Sequence, residues 1–544
     1  MWNASCTSLS HAVCSTADTE TNAETVWVTK DSSTLAYSDS LAGQVGFVDI
    51  TDPAAPAAAG TVALGGEPTT VRIHGDYAVV GVNTSPDFIN ASGHVAVIDI
   101  ASKTIVHEID VMGQPDAIDV SADEQYIAVA IENERDEDLG EGVPPQMPEG
   151  FLVIIDTPTG TAPTEWSTRK VEMTGLDGML YPEDPEPEYV VINSDNVAVV
   201  TLQENNGIAL VDLPTGNIVG SYSAGEVLVD QIDTLEEMVI NQVDALTLLR
   251  EPDGVTWIGT EYYALANEGD MDGGSRGFTV MDTEGNAVYD CGNEMELWTA
   301  RIGAYPEGRS ENKGNEPENI MYSEFDDGSK YLFVLSERSS VVFVYDAADP
   351  TSPTLLQILP AGAGPEGIVP IPSKNVVAVA SEEDARGDKM RSSITLYGLE
   401  EGDPGFPMIV SDARADGSYI PFAALSGLAS ASPYGLGIAG DENILYSIED
   451  SFFSKNRVLQ IDASSFPAVI TDEMRIMDSN DAMAGCLAGT SSAISEIINA
   501  DKTVNIDPEG IAVAAEGGFW LVSEGSGTVG DEARPFVSAH DWRA

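Results

Sequence analysis

The sequence predicts an all-β chain, a seven-bladed β-propeller followed by a second, incomplete propeller, and three recurring features carry that prediction. A Pro-led strand opening returns at Glu67-Pro68, Gln114-Pro115-Asp116, Pro187-Glu188, Pro252-Asp253, Pro317-Glu318 and Pro365-Glu366. A third strand ending in Asp follows each hairpin: VGFVDI (Asp49), VAVIDI (Asp99), LVIIDT (Asp156), IALVDL (Asp212), FTVMDT (Asp282) and VFVYDA (Asp346), with ITLYGL (Gly398) as the exception. Fourth strands such as IVHEIDV and TLLQIL then run into Gly-rich turns. Four short strands per unit, repeated from Glu24 to about Gly402, are the pattern of a propeller.

One unit shows the chemistry of the repeat. DPEPEYVVINSDNVAVVTLQENN, from Asp184 to Asn206, is a hairpin with acidic groups at both free ends. In an antiparallel hairpin those ends share one edge, so Glu186 and Glu188 are expected beside Glu204.

Residues 1–23 form a polar N-terminal segment without the apolar stretch of a signal peptide. Cys6 and Cys14 are near enough in sequence for a local disulfide, whereas Cys291 and Cys486 stand alone. Sequons at Asn3, Asn83 and Asn90 permit glycosylation. Blade three carries an acidic Pro- and Gly-rich insertion, Glu132 to Gly150, which is expected as a loop. Between blades four and five, the apolar spacing of Val227 to Arg250 predicts one amphipathic helix. Further loops are expected at Ala266 to Gly277 and Gly308 to Ile320. No apolar run is long enough to span a bilayer, so no transmembrane segment is expected.

Charge narrows the partners. The 544 residues hold 24 Lys and Arg against 90 Asp and Glu, a formal net charge of -66. Nucleic acid and anionic membrane surfaces are therefore not expected as partners. Two explanations remain for the excess: a hydrated surface suited to salty surroundings, and binding of divalent cations.

Several tempting motifs lack their context. An Asp at a strand-to-turn junction ordinarily accepts hydrogen bonds from the next backbone amides. Gly273 to Gly277 spells G-x-S-x-G without the strand-turn-helix a nucleophile elbow needs. Gly435 to Gly440 spells G-x-G-x-x-G before a strand instead of a helix. The five histidines are scattered without metal-ligand spacing. Hard-cation chemistry fits better, because Ca²⁺ takes several oxygen ligands in flexible geometry. The hairpin argument places Glu132, Glu204, Glu268, Glu337 and Glu382 on one face with Glu188, Glu318 and Glu366, and Asn133, Asn205 and Asn267 add neutral oxygens. Arg276, Arg309, Lys313, Arg338, Arg386, Lys389 and Arg391 are expected in the same face's loops, either to meet a phosphate or to neutralise the carboxylates.

Longer motifs bring families into view. DPEPEYV with VTLQENN, LANEGD, SRGFTVMDTEGNAVYDCG and the Ser-Glu-Asn-Lys-Gly run before EPENI resemble the choice-of-anchor I family, over roughly 24–402. Its relatives include mesenchyme-specific cell-surface glycoproteins associated with biomineralisation. From Ile420 onward, IPFAALSGLA, NILYSIEDSFFSKNRVLQID, FPAVIT and DPEGIAVAAEGGFWLVSEGSG resemble the opening part of the phytase-like family, so 403–544 is expected to be a truncated propeller domain. That second resemblance implies phosphoester hydrolysis; the hairpin argument sets Asp507, Glu509 and Glu524 on one edge, where a shared Ca²⁺ is expected, and no catalytic residue is assigned. The leading expectation is a secreted or cell-surface Ca²⁺-dependent phosphatase acting on a small phosphorylated substrate. The rival is a non-catalytic surface protein that binds calcium or mineral.

Overall fold

The computed structural model describes residues 2–7, 20–271, 273–385, 390–400, 402, 404–432, 442–481, 483, 497–515, 517–523 and 536–540. The chain forms two compact units, one of residues 1–229, 246–295 and 315–404, the other of 230–245, 296–314 and 405–544.

The first unit is a β-propeller that holds, among the described residues, seven four-stranded antiparallel sheets. Their first strands are Val26–Val28, Glu67–His74, Pro115–Val120, Pro187–Ile192, Val255–Ile258, Ile320–Glu324 and Pro365–Ile371. Each touches the first strand of the next sheet, and Pro365–Ile371 touches Val26–Val28, so the cycle closes. Sheets stacked on both faces bury both faces of their middle strands, which is why these read as continuous apolar runs. Leu152, Val153, Ile154 and Ile155 are all fully buried, whereas the outer strand Ala57–Ala63 is mostly exposed.

Most third-strand aspartates close the next turn, as the sequence implied, whereas Asp156 instead accepts the Arg169 guanidinium at 2.7 and 2.8 Å. Asp49 accepts the Thr51 amide at 2.8 Å, Asp99 the Ser102 amide at 2.7 Å, and Asp346 the Ala348 amide at 2.9 Å. Gly398 is the exception for a topological reason. The seventh sheet takes its fourth strand from the chain's beginning: Trp2–Thr7 runs antiparallel to Ser393–Leu399, Trp2 opposite Leu399 and Thr7 opposite Ile394. No turn to a sequential fourth strand follows Gly398, so nothing there needs capping. Part of the segment expected outside the ring, 1–23, thus supplies backbone pairing to its last sheet.

A second expectation is corrected. Val227 to Arg250 is not a helix; Glu226–Ile232 and Asp244–Leu249 form a two-stranded sheet. Exposed Leu228 and Asp230 flank buried Val229, a period of two that the sparse apolar spacing of the whole stretch had hidden.

The second unit contains a five-stranded sheet in the order Ile409–Ser411, Ala468–Arg475, Arg457–Asp462, Ile444–Glu449 and Leu425–Ser430, its first two strands parallel. A three-stranded sheet joins Pro508–Val513, Phe519–Ser523 and Phe536–His540.

Candidate metal centre

Proline at a strand opening removes one ladder donor, and the pairing register shifts immediately after it. Bulges lie between Pro115 and Ile118, Pro187 and Val190, and Pro365 and Gly367. A bulge turns a side chain away from the regular alternation, and the acidic residue at each is Asp116, Glu188 or Glu366. These three, with Asp253 and Glu318 from the starts of the fifth and sixth sheets, line one axial cavity of about 120 Å³. In the second sheet the corresponding residue is Thr69, whose hydroxyl donates to the carbonyls of Pro115 and Asp116 at 3.1 and 2.9 Å.

The ends of the second strands supply an outer set of acids. Asp116, Glu132 and Glu188 form one group, Asp253, Glu268 and Glu318 another, and Glu268, Glu316 and Glu337 a third; within each, one oxygen per residue lies within 4.8 Å of the others. Glu268 belongs to two groups. Asparagine side chains hold the two sets in register, since Asn133 Oδ1 accepts the Gln114 amide and Asn205 Oδ1 the Glu186 amide, each at 2.9 Å. These two asparagines therefore brace the site with the oxygens the sequence had offered as ligands. Asn267 Oδ1 is buried and receives no donor.

Electrostatics make the cluster unstable as a set of ions. Two unit charges 4.8 Å apart repel by about 3–4 kcal/mol at an effective dielectric of 20, and burial adds to the cost of each charge. Burial first, then neighbouring carboxylates, push Asp116 up to about 7 and hold Glu132, Glu188, Asp253, Glu318 and Glu366 well above the usual carboxylate range. Burial likewise lifts Glu337 to about 8, against the pull of Arg338. Glu188 Oε2 and Glu366 Oε2 are shielded from solvent and receive no donor.

One corner is answered by a cation that the sequence reading missed. Arg135, in the acidic insertion, donates to Glu186 at 3.1 Å and Glu204 at 2.8 Å, and it also pairs with Asp270. Glu204 keeps Oε2 buried without a donor, and burial still raises it to about 7. A lone Arg inside ENERDEDLGEG was the available signal. Tyr189 and Asn319 each follow an axial acid by one residue, and Arg72 Nη2 and Asn319 Nδ2 both donate to the Tyr189 hydroxyl, at 3.3 and 3.0 Å. That junction ties the second, fourth and sixth sheets together across the axis.

Other expected site residues fall elsewhere. Arg338 is held by Glu316 at 2.8 Å and Glu337 at 2.9 Å, Arg391 by Asp384, and Arg276 is buried. Arg309 and Lys313 belong to the second unit, while Arg386, Lys389 and the Gly435 to Gly440 motif lie outside the described residues. In the second unit Asp450, Asp507 and Glu509 form a fourth acidic group. Glu509 also lies in a bulge, between Pro508 and Gly510, and accepts the Ser426 hydroxyl at 2.8 Å. Glu524, the third expected member, lies outside the described residues. Asp116, Asp253, Glu316 and Asp450 are the acids that the sequence reading had not assigned as ligands.

Fold and site together define an acidic β-propeller with a carboxylate-lined axis. A family model described as the choice-of-anchor I domain matches residues 20–273 and 271–350, and the chain belongs to that family. A second model, esterase-like activity of phytase, matches 420–542. The choice-of-anchor match points to a cell-surface or secreted protein. A search of curated proteins found no match. Among solved structures, Kuenenia stuttgartiensis hydrazine synthase is similar at 17% identity over 71% of this chain and 97% of its own, TM-score 0.46. A catalytically inactive virginiamycin B lyase from Staphylococcus aureus is similar at 12% identity over 74% and 100%, TM-score 0.45. No helix among the described residues is long and apolar enough to cross a membrane.

Proposed function

We propose that this is an extracellular propeller protein whose first unit binds divalent cations, Ca²⁺ above all, at the carboxylate-lined end of its axis. The supporting observation is the axial cavity lined by Asp116, Glu188, Asp253, Glu318 and Glu366, with donorless buried oxygens on Glu188 and Glu366. An oxygen-only donor set suits a hard cation, and a bound cation offsets the mutual repulsion. Calcium titration of chelator-treated protein, followed by calorimetry, tests this reading. Saturable binding weakened at least tenfold in Glu188→Gln supports it, and absence of saturable binding overturns it.

A second reading, phosphoester hydrolysis in the second unit, rests on the phytase-like match and on the Asp450, Asp507 and Glu509 group. Such chemistry needs cations around the phosphate. In the first unit Arg338 and Arg391 are engaged with carboxylates, which favours their role as internal neutralisers. A phosphatase assay with Ca²⁺ on the intact chain and on Glu509→Gln separates the readings: activity lost in the variant supports hydrolysis, and calcium binding without activity leaves the surface cation-binding protein.

A further inference from the structure

In so acidic a chain, a place where cations outnumber acids stands out. The second unit has a cavity of about 50 Å³ whose wall carries Arg414, Lys455, Arg457 and Arg475 but only one carboxylate, Glu473. Phe453 and Pro421 provide part of its apolar wall.

The strand register sharpens the oddity. Arg457 opens its strand and Arg475 closes the neighbouring one, and the two sit directly opposite each other. Like charges placed directly opposite on paired strands are destabilising. Arg457 is fully answered: Nε and Nη2 donate to Glu449 at 3.0 and 2.6 Å, Nη1 to Glu473 at 2.6 Å, and Nη2 also to the Pro421 carbonyl at 2.8 Å. Arg414 takes both oxygens of Glu473, at 2.7 and 3.0 Å. Lys455 lies 3.0 Å from Asp501. Glu473, the cavity's one carboxylate, is thus shared by two arginines. Arg475 has no carboxylate partner among the described residues and is exposed at the cavity.

We propose that this cavity binds a small tetrahedral oxyanion, phosphate or sulfate, with Arg475 as its principal donor and Lys455 and Arg414 as flanking charges. Charge-assisted bonds from guanidinium to oxyanion are among the strong ones. The cations come from three chain segments, so an ion with oxygens in several directions meets more of them than a planar carboxylate does. A cavity of about 50 Å³ has room for one such ion. The anion would answer Arg475, which no carboxylate of the described residues does, and so relieve its opposition to Arg457. This site is independent of the carboxylate-lined axis.

Calorimetric titration of the intact chain tests it, with sodium phosphate, sulfate and acetate in separate arms at constant ionic strength set by chloride. A chelator is kept present so that no metal scavenges the phosphate. Saturable one-site binding of phosphate or sulfate is expected, tighter than acetate, weakened at least tenfold in Arg475→Gln and partly restored in Arg475→Lys. Arg475 is exposed, so these variants keep the fold, and unchanged far-UV circular dichroism verifies that. Arg169→Gln, in the first unit, leaves the affinity unaltered. Three outcomes overturn the proposal: no saturable signal beyond chloride, acetate binding as tightly as phosphate, or undiminished affinity in Arg475→Gln.

Discussion

Pro187-Glu188 and Pro508-Glu509 are the same local structure in two surroundings. Both begin a first strand, both carry a bulge straight after the proline, and both end a hairpin near another acid. In the first unit Glu188 shares a cavity with four more carboxylates drawn from other sheets, and one of its oxygens is buried without a donor. Glu509 is exposed and takes a serine hydroxyl. The bulge aims an acid; only a closed cycle of sheets gathers such acids until their charges must be answered. Motif and site are therefore separable, and variants can separate them.

The sharpest test removes the buried arginine with which the first unit answers one corner of its own cluster. Arg135→Gln leaves buried Glu186 and Glu204 without their partner, and breaking a buried pair costs about 3–5 kcal/mol. Denaturant unfolding in chelator at pH 8 should show that loss, and Ca²⁺ should restore part of it. A loss under about 1 kcal/mol would break the contrast by making the acids of the ring equivalent to surface charges.

Calcium itself should come next in size. A ligand present at a thousand times its dissociation constant stabilises by about 4 kcal/mol, which corresponds to about 8–16 °C at the scale of a large domain. Scanning calorimetry of wild type with Ca²⁺ against chelator should show it, and Glu188→Gln combined with Glu366→Gln should remove most of it. Equal melting temperatures with and without calcium would erase the distinction between the two units.

Acidity should mimic the cation. Glu24 is raised to about 8 by burial and Asp116 and Glu204 to about 7, each above its unfolded value. Such groups contribute stability that is complete below the unfolded pKa and lost as pH rises through the folded one. The chelated protein should then lose about 5 °C in melting temperature between pH 5 and pH 8, and calcium should flatten that slope. A chelated protein that gains stability over this range would contradict the burial of these acids.

The smallest effect belongs to the second unit. Glu509→Gln should change stability by no more than about 0.5 kcal/mol, as exposed substitutions do, and should leave the calcium shift of the first unit intact. If it removed that shift, the acids of the second unit would be the principal cation ligands.

Much of this was legible in the sequence because it repeats. Strand openings, third-strand aspartates and the shared edge of Glu188 and Glu204 all follow from local periodicity. Asp116 and Asp253 were visible at the same position after Pro115 and Pro252, and reading that position as a column would have assigned them. Arg135 was visible only as a lone cation in an acidic loop; its role was not, since its partners come from other sheets. The pairing of Glu226–Ile232 with Asp244–Leu249 was missed because period two persists over only part of a stretch whose overall composition also suits a helix. The opposed Arg457 and Arg475 depend on register between strands, which one strand's sequence does not encode.

The strand from Trp2 to Thr7 carries a consequence in time. Its partner is Ser393–Leu399, so the last sheet of the ring is completed by residues at opposite ends of the unit. Closing so long a loop carries a conformational entropy cost that rises with its length, although slowly, and non-local pairings of this kind slow folding. During synthesis the opening strand waits, unpaired, while six sheets form behind it. Until residue 399 has emerged, an exposed strand edge persists at each end of the nascent ring, and such edges are where chains aggregate. The dense negative charge of the sequence keeps neighbouring nascent chains apart during that wait.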